Sequence, residues 1–463
     1  MKQTKIVSTL GPASNNVDTI AKLIESGANV FRFNFSHGDH AEHQERIQMV
    51  HEAEKKTGKL VGILLDTKGA EMRTTDQEGG KFIAEKGKTM RVSMDATLVG
   101  NPDKIAVTYP GLFDDTHVGG HVLIDDGLVD LLITEKDEAN KELVVEVQNT
   151  GKIGSKKGVN APGVEIRLPG ITEKDADDIR FGLTQNINFI AASFVRKAQD
   201  VLDIRAILEE TGNEHVHIIP KIESQEGIDN IDEILEVSDG LMIARGDMGV
   251  EIPFQNVPFV QKSLIQKCNA LGKPVITATQ MVDSMQENPR PTRAEVSDVA
   301  NAVLDGTDGT MLSGESANGE YPVEAVSAMA AIDLRSEESM YANNTLSKAR
   351  LADYPAQSET EALAAAAVRT SESLGAKAIV VSTKSGHTAN LVSKFRPNAK
   401  IVASTFSENT QRSLTVVWGV LPVLTTEDKA FDDAVKAAKD NDVVASGDKV
   451  VVISGNTVSV VEA

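Results

Sequence analysis

One cysteine in 463 residues, a single tryptophan and 4% aromatic side chains are what this sequence has least of. A lone thiol, Cys268, cannot build an internal disulfide framework, so the fold must be held by its core and suits a reducing compartment. Cys268 falls in a helical pattern and reads as a core thiol. Basic charge is also short: 47 Lys and Arg stand against 68 Asp and Glu, a net charge of −21. That balance excludes a nucleic-acid partner, because binding a phosphate backbone needs a basic surface that releases counterions. Long apolar runs are missing too. The opening segment carries only a short one before Gly11-Pro12, and no later stretch approaches the ~20 residues of a membrane span. A soluble cytoplasmic protein is predicted, with no membrane partner, in which any anionic ligand must meet locally placed cations.

What is present is alternation. With 41% hydrophobic and 25% charged residues the chain is globular in composition, and short β-branched runs are repeatedly followed by amphipathic ones, the pattern of parallel strands with covering helices. Lys5–Leu10 reads as a strand, Ser14 as a helix cap, and Val17, Ile20, Leu23 and Ile24 as one helical face ending before Gly27. Further strands are predicted at Val30–Phe35, Val61–Asp66, Phe189–Phe194, His217–Ile222, Gly240–Ala244, Pro274–Thr279 and Gly309–Leu312. Eight such units over residues 1–69 and 168–340 are about the ~250 residues of a closed (β/α)₈ TIM barrel; an open doubly wound sheet is the alternative. Residues 70–167 turn to Gly- and Asp-punctuated β runs (Val122–Ile124, Leu131–Thr134, Leu143–Gln148) and read as an inserted β-barrel-like lid domain at the active-site end of strand three. After the polar, weakly patterned Tyr341–Ser358, alternation resumes in a C-terminal α/β domain, 341–463. Its helix Glu361–Leu374, strand Ala378–Ser382, helix Thr388–Phe395 and strand Ile401–Phe406 lead to the final strands Lys449–Ser454 and Val458–Val461, joined at Gly455-Asn456 by a hairpin signal.

Polar residues gather at the C-terminal ends of the barrel strands, where catalysis in this fold is assembled from several strands. Strand two places Arg32, Asn34 and Ser36 on one face; by itself, such an Arg could equally be paired with a carboxylate. Strand three ends in Asp66, Thr67 and Arg73, hard oxygen ligands and a second guanidinium. Strand five ends in Lys221 and Glu223, strand six in Gly246 and Asp247. Glu223 with Asp247 suits Mg²⁺, which keeps waters and completes its shell with phosphate oxygens, although Lys221 and Glu223 could also be only a buried ion pair. Gly246 lets backbone N–H groups approach an anion. Thr279 and Ser313 end strands seven and eight, as hydroxyl groups that also occur as plain helix caps.

Lys5–Pro12, Phe31–Gly38, Asp66–Arg73, Ser155–Asn160, Pro220–Gly227, Ala244–Pro253, Ala278–Met285 and Met311–Pro322 resemble the signatures of the pyruvate kinase family in order and spacing, over almost the whole chain. The resemblance implies transfer of a phosphoryl group from phosphoenolpyruvate to ADP, giving pyruvate and ATP, by a Mg²⁺- (or Mn²⁺-) and K⁺-dependent enzyme of the last step of glycolysis, usually a homotetramer. Residue by residue, it implies Mg²⁺ ligands at Glu223 and Asp247 and a K⁺ site at Asn34, Ser36, Asp66 and Thr67. Arg32 and Lys221 would hold the transferring group; Gly246, Asp247 and Thr279 would cradle the substrate carboxylate. Asn34, His37, Arg73 and Lys156 would meet the nucleotide, Lys156 arriving with the lid, and Thr279 and Ser313 would serve a water relay that protonates C3 of the enolate. Glu71 implies K⁺ dependence, since members that dispense with K⁺ tend to carry lysine there.

In the C-terminal domain Thr383, Lys384, Ser385, Gly386, His387 and Thr388 offer hydroxyls and N–H groups at a helix start, suited to a phosphate or to an ordinary capped loop. They resemble the family's pocket for a sugar-phosphate activator such as fructose 1,6-bisphosphate. Yet the Gly-rich loop that usually closes this pocket is replaced by the direct turn Ser454–Thr457. Ala70 and Ser224 also depart from the family's frequent proline and asparagine, without removing a ligand. A Mg²⁺-dependent lyase or aldolase of pyruvate enolate, and an inactive metabolite sensor, are the competing functions; the nucleotide-side residues argue against the first and the intact polar set against the second.

Overall fold

The computed structural model describes residues 2–341, 346–426 and 429–463, with side chains omitted at 346–349. Eight parallel strands close into a barrel: β1 (Lys5–Thr9), β2 (Val30–Asn34), β3 (Gly62–Asp66), β4 (Phe189–Ala192), β5 (His217–Ile222), β6 (Leu241–Ala244), β7 (Val275–Ala278) and β8 (Gly309–Leu312), with β8 pairing back onto β1. The closed ring excludes the open doubly wound sheet. Side chains alternate as a strand period of two requires. Ile6, Phe31, Phe33, Ile63 and Leu65 cluster with the covering helices, while Val7, Val30, Leu64, Ala191 and Met242 form a separate cluster. Burying each of the larger of these side chains contributes roughly 1.5–3 kcal/mol. The first covering helix, Val17–Ser26, is capped by Asn16, whose side chain accepts from the Thr19 amide. Ser14 is not the cap: it sits in the 3₁₀ turn Pro12–Ser14, bonded to Gly11.

Between β3 and β4 the chain builds a seven-stranded sheet and a two-stranded one. The edge strands of the larger sheet, Met72–Arg73 and Lys104–Ala106, are joined through Thr108 N–H to the Arg73 carbonyl at 2.8 Å and Thr75 N–H to the Ala106 carbonyl at 3.0 Å, which curls the sheet toward closure. Both crossings into this lid are anchored. On the way out, Gly69 has φ +73°, and a Cβ there would lie 2.8 Å from Ser193 Cβ, so only glycine fits. Its amide donates to Asp175 at 3.1 Å. On the way back, Arg196 donates to the carbonyls of Ile166 at 2.7 Å and Leu168 at 2.5 Å.

Residues 342–345, within the polar stretch 341–358, lie outside the described residues, and the helix Leu346–Asp353 follows them. The C-terminal sheet runs in the order Val420–Leu424, Lys400–Thr405, Ala378–Ser382, Lys449–Ser454, Thr457–Glu462, parallel except for the last pair. That pair turns tightly, with Ser454 opposite Thr457 and Gly455 at φ +54°. Strand Val420–Leu424 and helix Ala430–Asp440 are elements that the sequence pattern leaves unnamed.

This domain is bound to the barrel floor by buried and half-buried polar groups. Arg396 pairs with Asp308 at 3.0 Å and donates to Asn269 and the Gly306 carbonyl; Arg412 reaches Glu54 at 2.8 Å. Lys5 donates to the Val420 carbonyl at 2.7 Å, and burial pulls its ammonium down to about 7 from the usual 10.5. Between those values the unfolded chain still holds a proton that the folded chain has released, so Lys5 makes stability rise with pH across that window. Urea unfolding at pH 7 and pH 9 is expected to show the wild type gaining stability relative to Lys5→Met as pH rises; parallel trends for the two proteins would refute this.

Candidate active site

Register brings the strand-end residues together. Thr9 pairs with Arg32 across β1 and β2, and Asn34 with Asp66 across β2 and β3. Asp66, 1% exposed, is the hub: its carboxylate accepts from Arg32 Nε at 2.5 Å and lies 3.2 Å from Lys221 Nζ. Burial pushes this carboxyl up, but Arg32 and Lys221 outweigh it and hold it below the usual range. Lys221 also lies 3.1 Å from Glu223 Oε1 and donates to Ser193 Oγ at 2.9 Å. Burial opposes its charge, yet Asp66 and Glu223 keep the ammonium above its ordinary value. Both pairings left open by the sequence, Arg32 with a carboxylate and Lys221 with Glu223, are thus present, in one connected group at the barrel mouth.

Glu223 is the odd member. It is 1% exposed, and burial pushes its carboxyl up to about 8. Oε2 accepts from the Phe194 amide at 2.6 Å, whereas Oε1 has no hydrogen-bond partner among the described residues, its contact with Lys221 being ionic only. With that ionic contact alone, Oε1 keeps lone pairs free that a hard cation could use. Asp247 adds negative potential at Glu223. No group of three acidic, His or Cys side chains converges among the described residues, so a cation held here would be shared between two carboxylates and a ligand, as suits Mg²⁺.

On the far side, Thr279 has φ +76° and Gln280 φ +55°, left-handed conformations that a β-branched residue adopts only when held there. Arg245 holds it: Nη2 donates to the Thr279 carbonyl at 2.8 Å and Nε to Ala278 at 3.2 Å, while Asp298 pairs with the same guanidinium at 2.6 Å. A Cβ on Gly246 would sit 2.8 Å from Thr279 Cγ2, so glycine is required for the two turns to meet. The Ser313 amide donates to buried Glu315 at 2.7 Å. Neither Thr279 nor Ser313 caps a helix through its hydroxyl.

Between lid and barrel mouth lies a cleft of about 750 Å³, lined by Glu71, Arg73, Asp126, Asn160, Asp247 and Glu251 among others. Asn160 of the lid donates to Glu251 of the barrel at 2.6 Å. Arg73 forks onto Glu71 at 2.7 and 2.9 Å and donates to the Lys156 carbonyl at 2.6 Å. The Lys156 ammonium itself is not brought into the group: its side chain is 75% exposed, 4.0 Å from Asp76. Asn34 accepts from the Ser36 amide at 3.1 Å, and His37 is exposed on the same turn. In the C-terminal loop, Gly386, at φ +85°, precedes the helix His387–Lys394 and donates to Thr383 at 3.0 Å, and the Lys384 carbonyl accepts from Thr410.

Sequence reasoning missed Ser193, Arg245 and Thr9. Ser193 follows β4 directly and ties Lys221 to strand three: its hydroxyl donates to the Thr67 carbonyl at 2.6 Å, and its amide donates to Thr67 Oγ1 at 3.0 Å. The strand-end rule that selected Lys221 could have found it. Thr9 Oγ1 accepts from Arg32 at 3.1 Å.

A closed (β/α)₈ barrel with buried opposite charges at its mouth and a lid above it defines a class of barrel enzyme. Family models give the particular member: "Pyruvate kinase, barrel domain" matches residues 1–326 and "Pyruvate kinase, alpha/beta domain" residues 361–462. The pyruvate kinase of Lactobacillus delbrueckii subsp. bulgaricus is 70% identical over 95% of this chain and 76% of its own length. That of Bacillus licheniformis is 55% identical over 95% and 74%. A crystal structure of a pyruvate kinase from Cryptosporidium parvum superposes with a TM-score of 0.96 at 39% identity, covering 100% of this chain and 96% of the other. The chain belongs to the pyruvate kinase family, and is accordingly a phosphotransferase. No helix among the described residues is long and apolar enough to cross a membrane.

Proposed function

We propose that the chain moves the phosphoryl group of phosphoenolpyruvate to ADP, in the cytoplasm and as a homotetramer, with the barrel formed by 1–69 and 168–340, the lid by 70–167 and the regulatory domain by 341–463. The observation that carries this reading is the buried charge group Arg32–Asp66–Lys221–Glu223, in which Glu223 Oε1 has no hydrogen-bond partner among the described residues. Phosphoryl transfer asks the protein for positioning and for charge to balance the equatorial oxygens. Arg32 and Lys221 supply that charge, while Asp66 keeps both side chains oriented before substrate arrives. Glu223 and Asp247 would hold Mg²⁺, and Asn34, Ser36, Asp66 and Thr67 would hold K⁺; when bound, these ions add positive charge around the transferring group. Thr279, with Gly246 and the Asp247 backbone, receives the substrate carboxylate. Asn34, His37, Arg73 and, once the lid moves, Lys156 receive the nucleotide. Protonation of the enolate at C3 passes through water near Thr279 and Ser313.

A coupled assay of pyruvate formation tests this directly, each of phosphoenolpyruvate, ADP, Mg²⁺ and K⁺ being omitted in turn. Loss of activity on every omission is expected. Glu71, paired with Arg73 beside the cleft, favours the K⁺ requirement, and full activity in K⁺-free buffer would overturn that part.

The loop Thr383–Thr388 would take a sugar-phosphate effector, but the turn at Gly455-Asn456 leaves one wall of the pocket short. Fructose 1,6-bisphosphate is therefore expected to change the apparent KM for phosphoenolpyruvate little or not at all. A large fall in that KM would refute the reading of the turn.

A further inference from the structure

The end of β2 and the turn after it carry Asn34, Ser36 and His37, and the turn is held from behind by side chains with no role assigned above. Within the turn, the Ser36 amide donates to Asn34 Oδ1 at 3.1 Å, the His37 amide to the Asn34 carbonyl at 3.2 Å, and the Phe35 amide to the Asp66 carbonyl at 3.0 Å. That leaves the carbonyls of Phe35 and His37 to be satisfied by other groups. Lys174 Nζ donates to Phe35 at 3.0 Å, and His43 Nε2 donates to His37 at 2.9 Å.

His43 is built into this position. It is 2% exposed, and its ring stacks on Phe35 at 3.9 Å and 13° and meets Phe33 edge-on at 6.3 Å. A carbonyl can only accept, so Nε2 carries the proton and Nδ1 the lone pair; Nδ1 has no hydrogen-bond partner among the described residues. Burial lowers the ring's affinity for a second proton, which keeps it neutral. Lys174 is fixed in turn by Asp178, which also accepts from His40 at 2.8 Å, and His40 stacks on Phe181 at 4.1 Å.

We propose that His43, assisted by Lys174, is a positioning residue that sets the geometry of the β2 turn, so that K⁺ and ADP binding depend on its Nε2–H while phosphoenolpyruvate binding at saturating K⁺ does not. The inference rests on the function proposed above. Its selectivity follows from the layout. The groups assigned to phosphoenolpyruvate lie on other strands, or, like Arg32, inside β2 where the barrel ladder fixes the backbone.

The test compares His43→Phe, which keeps the stack and removes the donor, with His43→Gln, which restores an N–H at similar reach. Steady-state constants for K⁺, ADP and phosphoenolpyruvate are measured, together with the rise in Tm that K⁺ produces. For His43→Phe the half-activating K⁺ concentration and the ADP KM are expected to rise roughly tenfold, with the phosphoenolpyruvate KM, measured at saturating K⁺, within about twofold, as fits loss of one orienting hydrogen bond. His43→Gln is expected to recover most of the change. A lower Tm with all three constants unmoved, a parallel rise in the phosphoenolpyruvate KM, or no rescue by glutamine would overturn the proposal. Should His43→Phe fail to fold, Lys174→Met, at a half-exposed side chain, must move the same two constants or the proposal falls. If the wild type forms no pyruvate, the functional reading fails by itself. The positioning role of His43 is then judged by whether K⁺ raises the Tm of the wild type more than that of His43→Phe; equal rises would overturn it.

Discussion

Lys221→Met is expected to lower kcat by roughly three orders of magnitude or more, in line with the loss of one transition-state cation in phosphoryl transfer. Methionine fills the volume of the lysine stem, so the packing of β5 survives while the ammonium is lost. In the resting site Asp66 keeps Arg32 as its partner, which limits the structural damage. Glu223 loses its one ion-pair partner among the described residues and becomes freer to hold a divalent ion. The prediction therefore has two halves: kcat collapses, and Mn²⁺ binding, read by electron paramagnetic resonance, persists or tightens. Near-normal turnover would remove Lys221 from its proposed role. Loss of both turnover and metal binding would show that the substitution had disrupted the whole charge group.

The barrel was legible because its strands are short apolar runs with the right period. His217–Ile222 and Gly309–Leu312 end where the pattern says. Other runs were read one or two residues long at their C-terminal ends, at Phe35, Phe194 and Thr279. There the chain leaves the ladder for a turn, and Phe194 and Thr279 take left-handed backbone conformations that residue type does not announce. The strand Val420–Leu424 was hidden by Pro422, tolerated because the strand lies at the sheet edge.

Within the site, charge was easier to read than support. Lys221, Glu223, Arg32 and Asp66 stand out as charged residues at apolar strand ends. Ser193 is a single hydroxyl in a segment with several possible roles. Arg245 depends on Asp298, 53 residues away, so its hold on Thr279 exists only in three dimensions. The exposed placement of Lys156 likewise depends on how the lid sits, which no local pattern encodes.

Asp66→Asn tests the charge group from its other side, and should cost both stability and activity. The carboxylate neutralises two buried cations, and Ser193 Oγ, whose proton goes to the Thr67 carbonyl, lies 3.2 Å away. An amide of the same shape leaves Arg32 with no carboxylate partner, bonded to Thr9, and Lys221 with Glu223 and the Ser193 hydroxyl. Removing one side of a buried ion pair typically costs about 3–5 kcal/mol, most of it the price of a stranded charge. Because the folded carboxyl titrates below its unfolded value, this contribution is complete at neutral pH and fades as pH falls through the folded value. The difference between wild type and Asp66→Asn should therefore shrink in acid. A bound anion should also repair it: phosphate or phosphoenolpyruvate would replace the lost negative charge, so millimolar phosphate should raise the Tm of the variant more than that of the wild type. Equal stability of the two proteins without ligand would mean that the cations are compensated by solvent, and that Asp66 is not what prepares this site for a phosphoryl group.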